Sequence, residues 1–187
     1  MKNNNYKNII LTGDLQVGKS TIIDKYIEYL KNNNLSYGGF RTISIKEDDA
    51  LNVYIIPATA TVTIDKTNNL PRLIYTDFEL SDKNKIGDRN KKEFDKSIFD
   101  NIGIDILDKD IENKNIIIID EIGFIETNTK KFIPKIRELL SDKNKKIVAI
   151  FRKHNNNLLD ELRNDNQTKI IEVTIDNRND ILNDSLI

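Results

Sequence analysis

The stretch Gly13-Asp14-Leu15-Gln16-Val17-Gly18-Lys19-Ser20-Thr21 decides how this chain reads. An apolar run, Ile9-Ile10-Leu11, precedes it, and an amphipathic run over residues 22–30 follows it. Strand, glycine-bearing loop, Gly-Lys-Ser and helix, in that order, form the context in which backbone can wrap a chain of phosphates. Glycines at 13 and 18 permit a tight turn, so successive N–H groups can point at one anion. The helix that follows offers unpaired N–H groups and the positive end of its dipole. Lys19 brings a cation to the β- and γ-phosphates, and Ser20 a hydroxyl ligand for Mg²⁺. The plainer reading, a glycine turn beside a solvated lysine, explains neither the strand before nor the helix after. Residues 13–21 therefore read as a nucleoside triphosphate site.

Such a loop needs a partner: an apolar strand ending in an acid that holds the metal. Ile116-Ile117-Ile118-Ile119-Asp120-Glu121 supplies it, with a second acid besides. Asp120, at the strand's carboxyl end, is the expected Mg²⁺ ligand with Ser20. Glu121 is placed to orient and deprotonate a water attacking the γ-phosphate. Two neighbouring acids repel each other when buried alone, so a nearby cation gives a reason for the pair. The charge that develops on the γ-phosphate calls for a positive side chain. Arg152, directly after the apolar run 146–151, is the first choice; Arg41 and Arg178 are the alternatives. Glu126 reads equally well as a solvated or capping carboxylate.

The chain has 187 residues, enough for one substantial core, and residues 1–187 read as a single domain. A net charge of −1 leaves no overall basic field, so neither nucleic acid nor anionic lipid is indicated as a partner. Cysteine is absent, which excludes disulfides, thiolate metal sites and cysteine nucleophiles. His154 is the only histidine, too few for a histidine metal cluster. The N-terminal apolar run is too short for a signal peptide, and no stretch approaches membrane-spanning length. The cytoplasm is the expected compartment.

In chain order, strands are expected at 8–11, 37–45, 51–57, 60–64, 72–76, 116–119, 146–151 and 170–174. Helices are expected from the loop to residue 31, over 92–107 with Gly103 a candidate break, within 129–140 and over 158–163, with a last helical turn in 179–187. Residues 82–90 read as a polar loop. Strands between 37 and 76 without intervening helices predict an antiparallel meander. The isoleucine run at 116 is the signature of a parallel strand buried on both faces. Alternating strands and helices at the two ends predict an α/β three-layer sandwich around a mostly parallel sheet.

Ile118-Ile119-Asp120-Glu121-Ile122-Gly123, followed by Ile125-Glu126 and Phe132, resembles the second signature of the small bacterial and archaeal nucleoside-triphosphatases. That group is also called cancer-related nucleoside-triphosphatases. The resemblance extends through Gly38-Gly39-Phe40-Arg41-Thr42, Ile86-Gly87, Phe151-Arg152-Lys153 and Thr174-Ile175-Asp176-Asn177-Arg178, most of the chain. It implies a P-loop fold of RecA/AAA+-like type and Mg²⁺-dependent hydrolysis of several nucleoside triphosphates. By that match residues 13–21 bind phosphates, Asp120 binds magnesium and Glu121 is the catalytic acid. The chain departs from the family at Leu15-Gln16, where Pro-Gly is usual, at Phe124, commonly lysine, and over residues 46–52.

Two other readings use the same loop. A nucleotide or small-molecule kinase would transfer the phosphoryl group to an acceptor other than water. It would bring several arginines over the donor, whereas residues 82–92 offer only Arg89. A nucleotide-dependent switch would hydrolyse slowly to reset contact with a protein partner, which the sequence does not identify.

Overall fold

The computed structural model describes residues 6–65, 71–123, 129–153 and 157–187. His154, Phe124, Ile125 and Glu126 lie outside the described residues.

The predicted alternation is realised as β1 (Asn8–Thr12), α1 (Lys19–Asn32), β2 (Tyr37–Glu47), β3 (Ala50–Pro57), β4 (Val62–Asp65), β5 (Arg72–Thr76), β6 (Lys85–Asp88) and β7 (Glu93–Phe94), followed by α2 (Ile104–Ile111), β8 (Ile116–Ile122), α3 (Phe132–Ser141), β9 (Lys146–Phe151), α4 (Asn157–Leu162) and β10 (Thr168–Glu172). The main sheet has eight strands in the order β10-β1-β9-β8-β2-β3-β6-β7. The run from β10 to β2 is parallel, and from β2 onward each pairing is antiparallel.

Strand period and helix placement explain the layers. Side chains alternate across a strand, so β1 sends Ile9 and Leu11 to one face and Ile10 to the other. β8 and β9 do the same, with Ile118, Val148 and Ile150 on the first face and Ile117, Ile119, Ile147, Ala149 and Phe151 on the second. The first face is covered by α1 through Ile22, Ile23, Tyr26, Ile27 and Leu30. The second is covered by α2, α3 and α4, through residues such as Leu107, Ile136 and Leu159. Both faces of the parallel strands are thus closed, as the isoleucine runs require.

This arrangement also fixes where a ligand can sit. The helix after β1 lies on one face, while those after β8 and β9 lie on the other. A crevice opens at the carboxyl ends of parallel strands where the covering changes sides. The loop of residues 13–18 follows β1 at that place.

Four expectations need correction. Residues 82–90 are not a plain loop: β6 pairs there with β3, and Asp88 accepts hydrogen bonds from the N–H groups of Leu51 (3.1 Å) and Asn90 (2.9 Å) to form the next turn. The helix expected from 92 begins later, because Glu93 and Phe94 pair with β6 and Asp95 accepts the Ser97 N–H at 2.9 Å, closing the turn that starts it. Gly103 does not break that helix; it ends a π-turn, Phe99–Gly103, where a Cβ would lie 3.0 Å from the Phe132 ring. Finally, the meander is split. β4 and β5 form a separate two-stranded sheet over β2, with Val62 and Ile64 packed on Ile43, Ile45, Tyr54 and Ile56.

α3 begins at Phe132, and Pro134 falls within its first turn, where a missing N–H costs nothing. Asp100 caps this helix from across the chain, accepting N–H bonds from Lys130 (3.0 Å), Lys131 (2.8 Å) and Phe132 (2.9 Å). No helix among the described residues is long and apolar enough to cross a membrane.

Candidate functional site

The loop between β1 and α1 has the predicted backbone. Gly18 stands at φ 109° just before α1, a conformation that L side chains rarely adopt. No side chain caps α1, and its first turn carries no acid. Its leading N–H groups are therefore left for an external anion. Lys19 is buried and folds back on the loop, donating to the carbonyls of Gly13 (3.0 Å) and Asp14 (2.6 Å). Burial lowers its pKa, with Arg152 acting in the same direction and Glu121, Asp120 and Asp14 opposing. Leu15, Gln16, Gly18, Lys19, Ser20 and Thr21 line a cleft of about 870 Å³. Gly13, Asp14 and Val17 do not line it. Gly13 turns the chain against Val173, and Val17 packs into the core under α1.

β8 brings the acids to the same cleft. Asp120 is 3% exposed, and the Ser20 hydroxyl donates to its Oδ1 at 3.3 Å. Burial pushes the Asp120 carboxyl up to about 7, despite the Arg41 guanidinium; Glu121 and Asp24 push the same way as burial. A buried carboxylate facing a hydroxyl, with other acids close by, fits a hard cation held by few protein oxygens. Mg²⁺ is usually bound through one or two side chains, its remaining positions going to phosphates and waters. Ser20 and Asp120 match that donor set.

The next residue points elsewhere in the cleft. At Asp120–Ile122 the pairing of β8 with β9 shifts register, and Glu121 faces Arg152. Nε and Nη2 of Arg152 both lie 2.5 Å from Glu121 Oε1. Oε2 of Glu121 has no hydrogen-bond partner among the described residues. Arg152 follows β9 and lies over Gly123, where a Cβ would approach its Cδ to 2.8 Å.

The other two arginines are also placed. Arg41 on β2 stands in register with Asp120 on β8 and is ion-paired with Asp24 of α1. Its Nε is buried without a partner. Arg178 lies on the opposite side of the loop, its Cδ 3.5 Å from the Cβ position at Gly18. Sequence reasoning missed Asp24. The signal was there in its spacing: Ser20, Asp24 and Glu28 recur every four residues on the polar side of α1.

The parallel strands number 1, 2, 3, 4 and 5 in chain order as β1, β2, β8, β9 and β10, and they stand in the sheet as 5-1-4-3-2. A phosphate loop after the first, an acid pair on the third and one strand between them define the fold of the P-loop nucleoside-triphosphatases. Comparison with known proteins makes this specific. Residues 8–186 match the profile of the family described as NTPase. The nucleoside-triphosphatase THEP1 of Thermotoga sp. (strain RQ2) is 32% identical over 178 residues, spanning 95% of this chain and 92% of the relative. That of Thermotoga maritima is 30% identical with the same coverage, 95% and 92%. The crystal structure of THEP1 from the hyperthermophile Aquifex aeolicus aligns with a TM-score of 0.66 at 28% identity, covering 95% of each chain. The solution structure of a human cancer-related nucleoside triphosphatase aligns with a TM-score of 0.65 at 23% identity, covering 96% of this chain and 95% of the other; that likeness is one of fold. The chain belongs to the NTPase family.

Proposed function

We propose that residues 1–187 act as one domain that hydrolyses nucleoside triphosphates to diphosphate and phosphate in the cytoplasm, with Mg²⁺ as cofactor. The single observation that carries this reading is the cleft, where Lys19, Ser20, Asp120, Glu121 and Arg152 meet although they come from three separate stretches of chain.

The loop backbone and the α1 N-terminus hold the phosphates. Lys19 exchanges the Gly13 and Asp14 carbonyls for β- and γ-phosphate oxygens, which satisfy its charge better. Ser20 and Asp120 would hold Mg²⁺, which when bound would neutralise charge on the phosphates. Glu121 takes a water on its open Oε2 and accepts its proton as the oxygen attacks phosphorus. Arg152, anchored on the other oxygen of the same carboxylate, fixes Glu121 and presents positive charge to the developing γ-phosphate.

Phosphate release tests the reading directly. ATP and GTP should yield phosphate without any added acceptor, and chelating divalent metal should stop turnover. Lys19→Ala should lose tight binding of a fluorescent ATP analogue, because the loop then has no cation aimed at the phosphates. Undiminished turnover without divalent metal, or unchanged affinity in Lys19→Ala, would overturn the site.

A further inference from the structure

One ion pair in the cleft has no part in the hydrolysis proposed above. Ser20 lies in the first turn of α1, and Asp24 follows one turn later on the same face. Arg41 on β2 stands in register with Asp120 on β8. Its Nη2 donates to Asp24 Oδ1, so the pair joins the helix that carries one metal donor to the strand beside the other. Ser20, Asp24, Arg41 and Asp120 all line the cleft.

Stability is a poor account of this pair. Asp24 is 43% exposed in its side chain, and an ion pair open to solvent adds little. Arg41 is 15% exposed, and its buried Nε has no hydrogen-bond partner among the described residues, which costs stability. Its place beside Asp120 is more telling. Burial pushes the Asp120 carboxyl up, the Arg41 guanidinium draws it down, and Glu121 and Asp24 push it up. Both members of the pair therefore act on the carboxylate that faces Ser20. Their signs toward a divalent cation are opposite. The Arg41 charge alone repels an ion at Ser20 and Asp120, and the Asp24 charge alone attracts it. Paired, the two largely cancel at that point.

We infer that Arg41 and Asp24 are positioning residues that together set the affinity of the Ser20–Asp120 site for a divalent cation. Arg41 holds the Asp24 carboxylate back from the ion, and Asp24 cancels the charge that would otherwise drive the ion away. The protein then offers Mg²⁺ only two donors and leaves its other positions to phosphates and waters, so firm binding requires the triphosphate as well. This role rests on Ser20 and Asp120 being metal donors, as proposed above.

Mn²⁺ binding tests the pair, because electron spin resonance counts the free ion. Protein is kept in excess over a non-hydrolysable ATP analogue, so that all the analogue is bound, and Mn²⁺ is titrated in. Asp24→Asn should weaken Mn²⁺ binding about fivefold or more, since it leaves the Arg41 charge uncompensated. Arg41→Gln should tighten it by about the same factor, since it releases the Asp24 charge. The double variant should return to within about twofold of the parent, and Arg41→Lys, which keeps the charge, should stay there too. A merely structural role would move both single variants the same way. Shifts of the same sign in the two single variants, or shifts below about twofold in both, overturn the inference. If Arg41→Gln does not fold, Asp24→Asn and Arg41→Lys decide alone: weakening in the first only supports the inference, and equal effects overturn it. A parent that binds no Mn²⁺ sinks the Ser20–Asp120 assignment and this inference with it; a parent that binds while the variants do not move sinks this inference alone.

Discussion

Glu121→Gln separates the chemistry of the site from its binding. The amide keeps the shape of the carboxylate and can still accept from Arg152, which holds Oε1 at 2.5 Å. It cannot take a proton from a water at the other position. A positioned general base contributes about 10²- to 10⁴-fold, so turnover should fall by that factor, about 3–5 kcal/mol on the barrier. Affinity should move the other way. Glu121 and Arg152 are nearly neutral as a pair, and removing the negative member leaves the arginine charge uncompensated beside the triphosphate. Allowing for the solvent that reaches Arg152, 38% exposed in its side chain, the gain is on the order of 1 kcal/mol, about fivefold tighter binding. Arg152→Ala provides the opposite case, with slower turnover and weaker affinity. Single-turnover phosphate release measures the first quantity, and titration with a fluorescent triphosphate in Mg²⁺ the second. Parent-rate hydrolysis with normal binding in Glu121→Gln would show that Glu121 is not the base. The kinase and switch readings would then move ahead of the hydrolase.

Gly123→Ala should act through Arg152 alone. Its new Cβ would meet Arg152 Cδ at 2.8 Å, so that side chain must shift from its place beside Glu121; turnover should fall while metal-dependent triphosphate affinity stays within about threefold. Asp100→Ala removes the cap of α3 and should cost about 0.5–2 kcal/mol in urea denaturation at pH 7. The effect should depend on pH in a set direction. Burial raises the Asp100 pKa, but the N–H bonds from Phe132, Lys131 and Lys130, with the nearby Lys131 charge, outweigh it, so the folded value lies below the ordinary 3.8. A carboxylate with a depressed folded pKa stabilises fully above its unfolded pKa and loses that contribution as pH falls through the folded value. The gap between parent and Asp100→Ala should therefore be constant from pH 7 to about 5 and shrink below about pH 4. A gap that widens on acidification would refute the capping role.

How far the sequence carried the fold depended on how local its signals were. β9 was bounded correctly at Lys146 and Phe151, and the isoleucines of β8 and the stripe on α1 placed both faces of the sheet. These elements declare themselves by period, because burial on one face or two writes the pattern directly. The region from 82 to 107 failed for the opposite reason. β6 and β7 are short, β6 alternates only Ile86 and Gly87, and its existence depends on β3 offering a free edge. No window of sequence contains that information. The cap on α3 was invisible for a similar reason: Asp100 sits 32 residues from Phe132.

The site divides along the same line, and the division explains why its catalytic half is harder to read. The loop of residues 13–21 is a contiguous device whose function follows from backbone geometry, so its spacing alone is informative. The role proposed for Glu121 draws on three separate facts: a register shift at the end of β8, an arginine one strand away, and a glycine at 123 that lets that arginine lie close. Each alone is ordinary; an acid after a strand is more often solvated, and so is an arginine. Their coincidence at one carboxylate, with one oxygen held and the other open, is what supports the proposal that Glu121 directs a water.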